Sequence, residues 1–549
     1  MYLEPVVAPL EGLKVEAAGQ GATFAVAAWL LGGMGASIVA PNQHDDGTAD
    51  TRIMPAGPSK TTGCGSTLIP SPVRLDDAGL PEGCLSYATG LALACGAIAG
   101  WLSGRSIGVD EVAVALEIRL PDVIAASYGT ANPMRPHPPR RAPGGGFYHA
   151  DLGAPGAAED FERLVGTLEP GASASVLAAA CQEWRLAVCD YRHRKSGPAL
   201  DPARDPVKDR GTDRAKEPGT DPSGDLETHG SVLRQPIRFG RTPPEADMAH
   251  ASRVAARRHL PGEGLGIAVL DMTAMWAGPL ATRLLQQLGS EITKVEPSFR
   301  PDGTRALRGG GIYPGGEHLD PGRDSGMWNA LNWSKRHVDL DLRNPTHMRR
   351  FVALARHCDV VIESFSPRVA SNFDLAARIG KGPLMVSIPA FGLGPQRDWV
   401  AYGTGVHAQS GLGHIGLGHI GFSADGPDMP GDDRFCEPAV SYPDPLAGLT
   451  ATLGVLAGLA SKALGARVDR VEVSLDEAIQ PLASEVGKLL SGLPSGVPVD
   501  RDRPPSLLRG ADNEGERLLN LALDLGLMVP RQVGGRWLAH PSGPFSFQG

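Results

Sequence analysis

The run AVSYPDPLAGLTATLG places Asp444 between Pro443 and Pro445, directly ahead of an apolar helical pattern. A carboxylate there has two uses. It can cap the helix by accepting backbone N–H bonds, or it can act as a nucleophile held at a helix start. The sequence leaves both open. Arg300, Arg305, Lys335, Arg336 and Arg343 form a cluster of cations. They read either as a solvated face or as forks and ammonium groups for the phosphates of a nucleotide carrier. The segment GLGHIGLGHIG, Gly411 to Gly421, contains GxGxxG twice but lacks the flanking strand and helix of a dinucleotide fingerprint. It reads as a glycine loop, over a site or simply at the surface. His407, His414, His419 and Cys436 lack metal-ligand spacing, so no metal is expected. Cys64, in GCGS, has no nearby His to form a thiolate and reads as a structural or exposed thiol.

The chain that must position these groups has 549 residues, a soft prior for more than one domain. Apolar types make up 42%, enough for sizeable cores. The balance of 52 basic against 61 acidic residues, with no stripe of cations interleaved with aromatics, argues against nucleic-acid binding. Seven cysteines without CxxC suit a reduced, cytoplasmic protein. The start, MYLEPVVAPLEG, carries Glu4 and Glu11 and no basic region, so no signal peptide is expected. Gly21 to Pro41 and Leu85 to Gly104 are uncharged and long enough to span a bilayer, yet each has a charged relative later in the chain. They read as buried core segments, not membrane spans.

Those relatives organise the sequence. GLKVEAAGQGATFAVAAWLLGGMGASIVAP (Gly12 to Pro41) resembles GLGIAVLDMTAMWAGPLATRLLQQLGSEITKVEP (Gly264 to Pro297). SYATGLALACGAIAGWLSG (Ser86 to Gly104) matches DPLAGLTATLGVLAGLASK (Asp444 to Lys462), so that Gly90, Gly96 and Gly100 answer Gly448, Gly454 and Gly458. VDEVAVAL (Val109 to Leu116) is set against VDRVEVSL (Val468 to Leu475) as a strand. The chain is expected to be α/β: two unequal related halves, each a Rossmann-like open parallel sheet, plus a smaller α/β domain. The boundaries read 1–130 and 131–190 for the first half's large and small parts, and 191–230 for a disordered charged insert. They continue with 231–262 for a closing segment and linker, 263–480 for the second large domain, and 481–549 for a linker and helical tail. Ser86 stands where the second half has Asp444.

In order, LDMTAMWAGPLATRLLQQLGSEITKVEP, LNWSKRHVDLDLRNP, CDVVIESFSPRVASNFDL, FGLGP with AYGTGVHAQSGL, and SYPDPLAGLTATLGVLAGLASKALGARVDRVEVSLDEAI resemble class III CoA-transferases, the carnitine/bile-acid-inducible type. The likeness covers Gly264 to Ile479. The first half resembles a degenerate copy, PGGGFYHADLG (Pro143 to Gly153) being like the family's small domain and LRQPIRFGRTP (Leu233 to Pro243) like its closing segment. The resemblance implies an enzyme that moves coenzyme A from an acyl-CoA to a carboxylic acid acceptor, with no permanently bound cofactor and Asp444 as nucleophile. It further implies CoA contacts at Arg300, Arg305, Lys335, Arg343, Ser364, Phe365 and Tyr402. Ala277 and Gly278 would lie beside the thioester. The halves are expected to pair within the chain, or the chain to form a homodimer. Trp276 and Gly403 depart from the family pattern, which often has Gln and Asp there. A 2-methylacyl-CoA racemase, with His407 replacing the His that related racemases carry at Tyr402, stays an alternative, as does a protein of the same fold with altered or lost chemistry.

Overall fold

A computed structural model of the chain describes residues 4–19, 21–39, 49–55, 64–72, 75, 80–81, 83–134, 136–154, 156–192, 236–241, 264–306, 311–314, 320, 324–392, 394–413, 438–483, 514–533 and 535–548. Most of the charged insert, the glycine loop from His414 onward, and Cys436 lie outside the described residues.

The chain opens with β1 (Glu4–Pro5), β2 (Lys14–Ala17), α1 (Ala22–Gly33), β3 (Ser37–Val39), β4 (Thr51–Pro55), β5 (Gly65–Ile69), α2 (Cys84–Ser103) and β6 (Ser106–Asp110). Helices α3 (Glu111–Ile118) and α4 (Leu120–Tyr128) lead to a small unit of β7 (Arg140–Arg141), β8 (Phe147–Asp151), α5 (Ala157–Val165), α6 (Ala174–Glu183) and β9 (Ala187–Asp190), followed by β10 (Arg238–Arg241). The second large unit contains β11 (Ala268–Met272), α7 (Ala277–Gln287), β12 (Glu291–Val295), α8 (Gly326–Asn332), β13 (Arg336–Val338), α9 (Pro345–Ala355), β14 (Val360–Glu363), α10 (Pro367–Phe373), α11 (Leu375–Ile379) and β15 (Leu384–Ser387). It continues through α12 (Gly403–Ser410), α13 (Pro443–Ala463), β16 (Arg470–Glu472) and α14 (Leu475–Ile479). The tail adds α15 (Glu514–Asp524), the hairpin β17 (Met528–Val533) and β18 (Arg536–Pro541), and β19 (Phe545–Gln548).

Two large sheets result. One runs β1-β10-β16-β15-β14-β11-β12-β13 and the other β19-β6-β5-β4-β2-β3. The stretch β16-β15-β14-β11-β12 repeats the order of β6-β5-β4-β2-β3, and both stretches are parallel throughout. The fold is thus α/β with Rossmann-like sheets. The paired glycines of the long helices occupy equivalent places. A Cβ on Gly90 would lie 2.5 Å from Val26 of α1, and one on Gly448 would lie 2.8 Å from the Ala277 carbonyl of α7. On Gly96 it would meet Ser66 and Val109 of β5 and β6; on Gly454 it would meet Val471 of β16 at 2.7 Å. Hydrogen in place of a side chain lets α2 and α13 lie directly on their sheets and neighbours.

One expected match shifts register. Val109 to Leu116 is not a strand beyond Asp110: the Asp110 carboxylate accepts the Ala113 N–H at 2.9 Å and starts α3. The corresponding cap in the second half is Ser474. A short polar acceptor beside the backbone converts the alternating pattern into a helix start.

Each half extends the other's sheet beyond its parallel strands. β10, from the first half's closing segment, pairs antiparallel with β16, and β19 from the tail pairs antiparallel with β6. The small units are exchanged as well. Gln182 of α6 bonds both the N–H and the carbonyl of Val400 (2.6 and 2.9 Å), and Arg185 reaches the Ser366 hydroxyl at 2.9 Å. In return the tail packs on α3 and α4, with Ser127 bonded to Ala539 and the Tyr128 hydroxyl 3.0 Å from His540 Nε2. The stretches weighed as membrane spans are core helices: α2 and α13 are buried almost throughout.

Between the halves, Glu117 of α3 and Arg283 of α7 form a buried ion pair. Replacing Arg283 with Met leaves a buried, unpaired carboxylate and is expected to cost ~3–5 kcal/mol. Glu117→Leu in the same background should restore most of it. Urea denaturation checks this; equal stability of the single variant and wild type would mean the pair does not hold the halves.

Candidate active site

Asp444 is the second residue of α13, after Pro443 at the first position, and the N-cap is Tyr442. The capping use is therefore not realised, nor is it at Ser86, the third residue of α2 after its N-cap Gly83. The Asp444 carboxylate instead accepts the Ser441 hydroxyl at 2.6 Å and the backbone N–H of Gly403. Its residue is only 7% exposed. Burial raises its pKa to about 7; Ser441 and the Gly403 N–H oppose the shift, and the charge of Asp151 adds to it. The positive end of a helix is worth about 0.3–1 kcal/mol to a carboxylate and does not offset this desolvation. Gly403, unusual against the family pattern, has a local reason. A Cβ there would lie 2.2 Å from Asp444 Oδ2 and 2.3 Å from the Ser441 hydroxyl.

Several expected residues gather around this carboxyl. Tyr402, the N-cap of α12, is 36% exposed. Loss of solvent raises its phenol, and the charges of Asp151, Arg300, Asp444 and Asp302 all act on it, placing these groups in one electrostatic neighbourhood. Arg300 is exposed and has no ion-pair partner among the described residues. The carbonyl of Ala277 sits against Gly448, one turn along α13 from Asp444, so the start of α7 flanks the site. Gly278 is closely packed, a Cβ there falling 2.2 Å from Thr273. Trp276 is buried just before it, its indole N–H unpartnered among the described residues. Ser364 follows β14, and its hydroxyl accepts the Ala274 N–H at 3.2 Å; Phe365 packs on Phe373. Arg343 is exposed, doubly bonded to Asp341 and stacked over Phe299 beside Arg300.

Two of the cations do other work. Lys335 is fully buried, 3.0 Å from Asp271 and bonded also to Pro279 O, Thr282 and Asn332. As an internal tie between β11 and α7 it has no donor to spare for a phosphate, which corrects the expected CoA contact. Burial depresses this ammonium; it pushes Asp271 upward, but Lys294, Lys335 and two threonine hydroxyls pull that carboxyl below its usual range. Arg305 is bonded to Glu296 at 2.7 Å and lies over the Trp328 ring, so it too is occupied by the fold. His407, the proposed substitute base of a racemase, is buried within α12 with Nδ1 2.9 Å from the Tyr442 hydroxyl.

The residues that motif reading missed are Ser441, Thr404, Asp151 and Glu363. Asp151 ends β8 in the exchanged small unit and accepts the Thr404 hydroxyl at 2.8 Å. Glu363, at the end of β14, is raised to about 7 by burial while accepting the Phe365 N–H at 2.6 Å. Only Ser441, three residues before Asp444, had a local signal.

Lys335→Met should destabilise the fold by ~3–5 kcal/mol, because Asp271 is left charged and buried. CoA affinity of the folded fraction should be unchanged; a pure affinity loss with normal stability would reverse the correction. Gly403→Ala should displace the Asp444 carboxylate from Ser441 and reduce any reaction at Asp444 by at least about tenfold, measured by covalent labelling.

Comparison with known proteins identifies the surrounding scaffold. The profile of CoA-transferase family III matches residues 265–490. A formyl-CoA:oxalate CoA-transferase of Rhodopseudomonas palustris (strain HaA2) is 34% identical over 142 residues, covering 25% of this chain and 31% of that protein. A succinyl-CoA–D-citramalate CoA-transferase of Chloroflexus aurantiacus is 29% identical over 221 residues, covering 39% of this chain and 50% of that protein. A solved CAIB/BAIF family protein from Brucella suis aligns at 22% identity with a TM-score of 0.33, over 41% of this chain and 57% of that one. The chain spans between about a third and a half of the length of these curated relatives. Residues 265–490 of the chain are thus the segment that is similar to CoA-transferase family III.

Proposed function

We propose that this chain transfers coenzyme A between carboxylic acids, with Asp444 as the nucleophile. The observation that carries the reading is a buried carboxyl with a pKa of about 7, at the start of α13 within the family-matched segment. An Asp444 oxygen attacks the thioester carbonyl of an acyl-CoA. The C–S bond breaks, leaving an aspartyl–acyl anhydride and CoA thiolate. The thiolate attacks the aspartyl carbonyl and expels the first acid as its carboxylate, so CoA rests on Asp444 as a thioester. The acceptor carboxylate then attacks that thioester, and the released thiolate attacks the acceptor's acyl carbonyl, restoring Asp444. No redox step occurs and no permanently bound cofactor is required. The Gly403 N–H and Ser441 hydroxyl, which hold the resting carboxylate, would steady the oxyanion that forms on the aspartyl carbonyl when the thiolate attacks it.

Arg300, Arg343, Ser364 and Phe365 are the remaining candidates for the CoA moiety, with Ala277, Gly278 and Tyr402 around the acyl end. We read the first half as a degenerate partner, since Ser86 replaces the carboxylate, giving one site per chain formed with the first half's small unit. The activity is assigned to the cytoplasm.

The attacking species is the carboxylate, so formation of a hydroxylamine-sensitive CoA adduct should rise with pH through about 7, as read by intact mass. Asp444→Asn should form none. Folding is linked with the opposite sign. The unfolded group loses its proton from about pH 4 and the folded group only near 7, so its contribution falls across that window, by on the order of 4 kcal/mol. Asp444→Asn should therefore be more stable than wild type above pH 7. An adduct in that variant, or a flat pH profile, would exclude Asp444 as the nucleophile.

A further inference from the structure

The site contains a second carboxylate that the proposed chemistry does not use. Asp151 lies on β8 of the small unit, two residues from His149 and therefore on the same face of the strand. His149 is 2% exposed, and its Nε2 lies 3.1 Å from Asp151 Oδ1. The other oxygen, Oδ2, accepts the Thr404 hydroxyl at 2.8 Å. Thr404 directly follows Gly403, the residue whose N–H is bonded to Asp444 and whose Cα has no room for a side chain beside it. A continuous chain of contacts therefore runs from His149 through Asp151 and Thr404 to the backbone touching the nucleophile. Its first two members come from one half of the protein and its last two from the other.

We propose that Asp151 is a positioning residue for Asp444: it anchors the Gly403–Thr404 turn on the nucleophile and sets a like charge beside it. The argument rests on the proposed role of Asp444. Holding a threonine hydroxyl needs only an acceptor, and a neutral amide would do that without repulsion. A carboxylate adds something a purely structural anchor does not. Like charges nearby raise the free energy of ionised Asp444. In the anhydride and in the aspartyl-CoA thioester, Asp444 carries no charge, because the negative charge has left with the thiolate or with the released acid. Repulsion from Asp151 is relieved in both covalent states, so its charge displaces the internal equilibrium toward enzyme-bound CoA.

The other groups in this neighbourhood bound the effect. On α12 and its approach are Tyr402 and His407, the latter held by Tyr442. Arg300 and Asp302 precede α8 and oppose one another in sign. Ser441 is neutral and bonded to Asp444 itself. Among these, Asp151 is the charge that acts directly on Asp444, and it works in the same direction as burial.

Three variants separate the anchor from the charge. Asp151→Asn keeps an acceptor for Thr404 and removes the charge; Asp151→Glu keeps the charge; Thr404→Val removes the anchoring bond alone. The titration of Asp444 is read without turnover from the carboxylic acid C=O infrared band that is lost in Asp444→Asn. Asp151→Asn should lower its midpoint by about half to one pH unit, Asp151→Glu should restore it, and Thr404→Val should leave it in place while slowing adduct formation. The equilibrium fraction of enzyme held as CoA thioester should fall several-fold in Asp151→Asn. An unmoved midpoint in Asp151→Asn, or an equal shift in Thr404→Val, overturns the proposal. If wild type forms no thioester with any acyl-CoA yet the midpoint still moves, the positioning role stands and the transferase reading fails. If Asp151→Asn does not fold, Asp151→Ser, which also lacks the charge, gives the same reading.

Discussion

Helix α13 is buried on all sides, and its first turn begins inside the protein rather than at its surface. A carboxylate placed there gives up water, and the fold replaces that water with a few donors, the Ser441 hydroxyl, the Gly403 N–H and its own backbone N–H. This under-solvation raises the proton affinity of Asp444, and in the proposed reaction it would strengthen as a nucleophile a group that is normally a weak base. Gly403 must lack a side chain, the residues near Gly448 must allow α7 to approach, and the turn before α12 must be held firmly. A carboxyl at an exposed helix start would have its ordinary acidity and no comparable chemistry.

That enclosure is built by both halves. β10 completes the sheet beneath α13 and β19 completes the sheet beneath α2, so neither parallel stack has its full edge without the other half. The same exchange carries β8 to α12 and β18 to α4. Sheet edges that invite uncontrolled pairing are thereby covered within one chain. The exchange also makes the site composite: Asp444 and Thr404 come from one half, Asp151 and His149 from the other.

The distribution of cations follows from burial more than from composition. Lys335 and Arg305 belong to the same basic cluster as Arg300 and Arg343, yet the first two are consumed by Asp271 and Glu296 inside the fold. An ammonium surrounded by four acceptors at 2.7–3.0 Å is stabilised by them and has no direction left for a ligand. Arg300 lies on the exposed turn after β12 and has no ion-pair partner among the described residues.

Much of this architecture was written in local pattern. The glycines at 90, 96 and 100 and at 448, 454 and 458 announced two equivalent helices, and the structure packs the first of each set on a neighbouring helix and the others on a sheet, while Asp444 stood out by its place before the second helix. The register after Asp110 did not follow, because one side-chain acceptor turned an alternating segment into a helix. Nor did the roles of Lys335, Gly403 and Asp151. Whether a lysine is a ligand or an internal tie, whether a glycine faces a carboxylate, and whether an aspartate some three hundred residues away lies beside Asp444 are all matters of which surfaces meet. By itself the sequence determined periodicity, composition and the place of a carboxylate ahead of the long apolar helix, because these act over a few residues. The tertiary structure alone decided desolvation and charge pairing, because both depend on neighbours brought together by the exchange of strands between the halves.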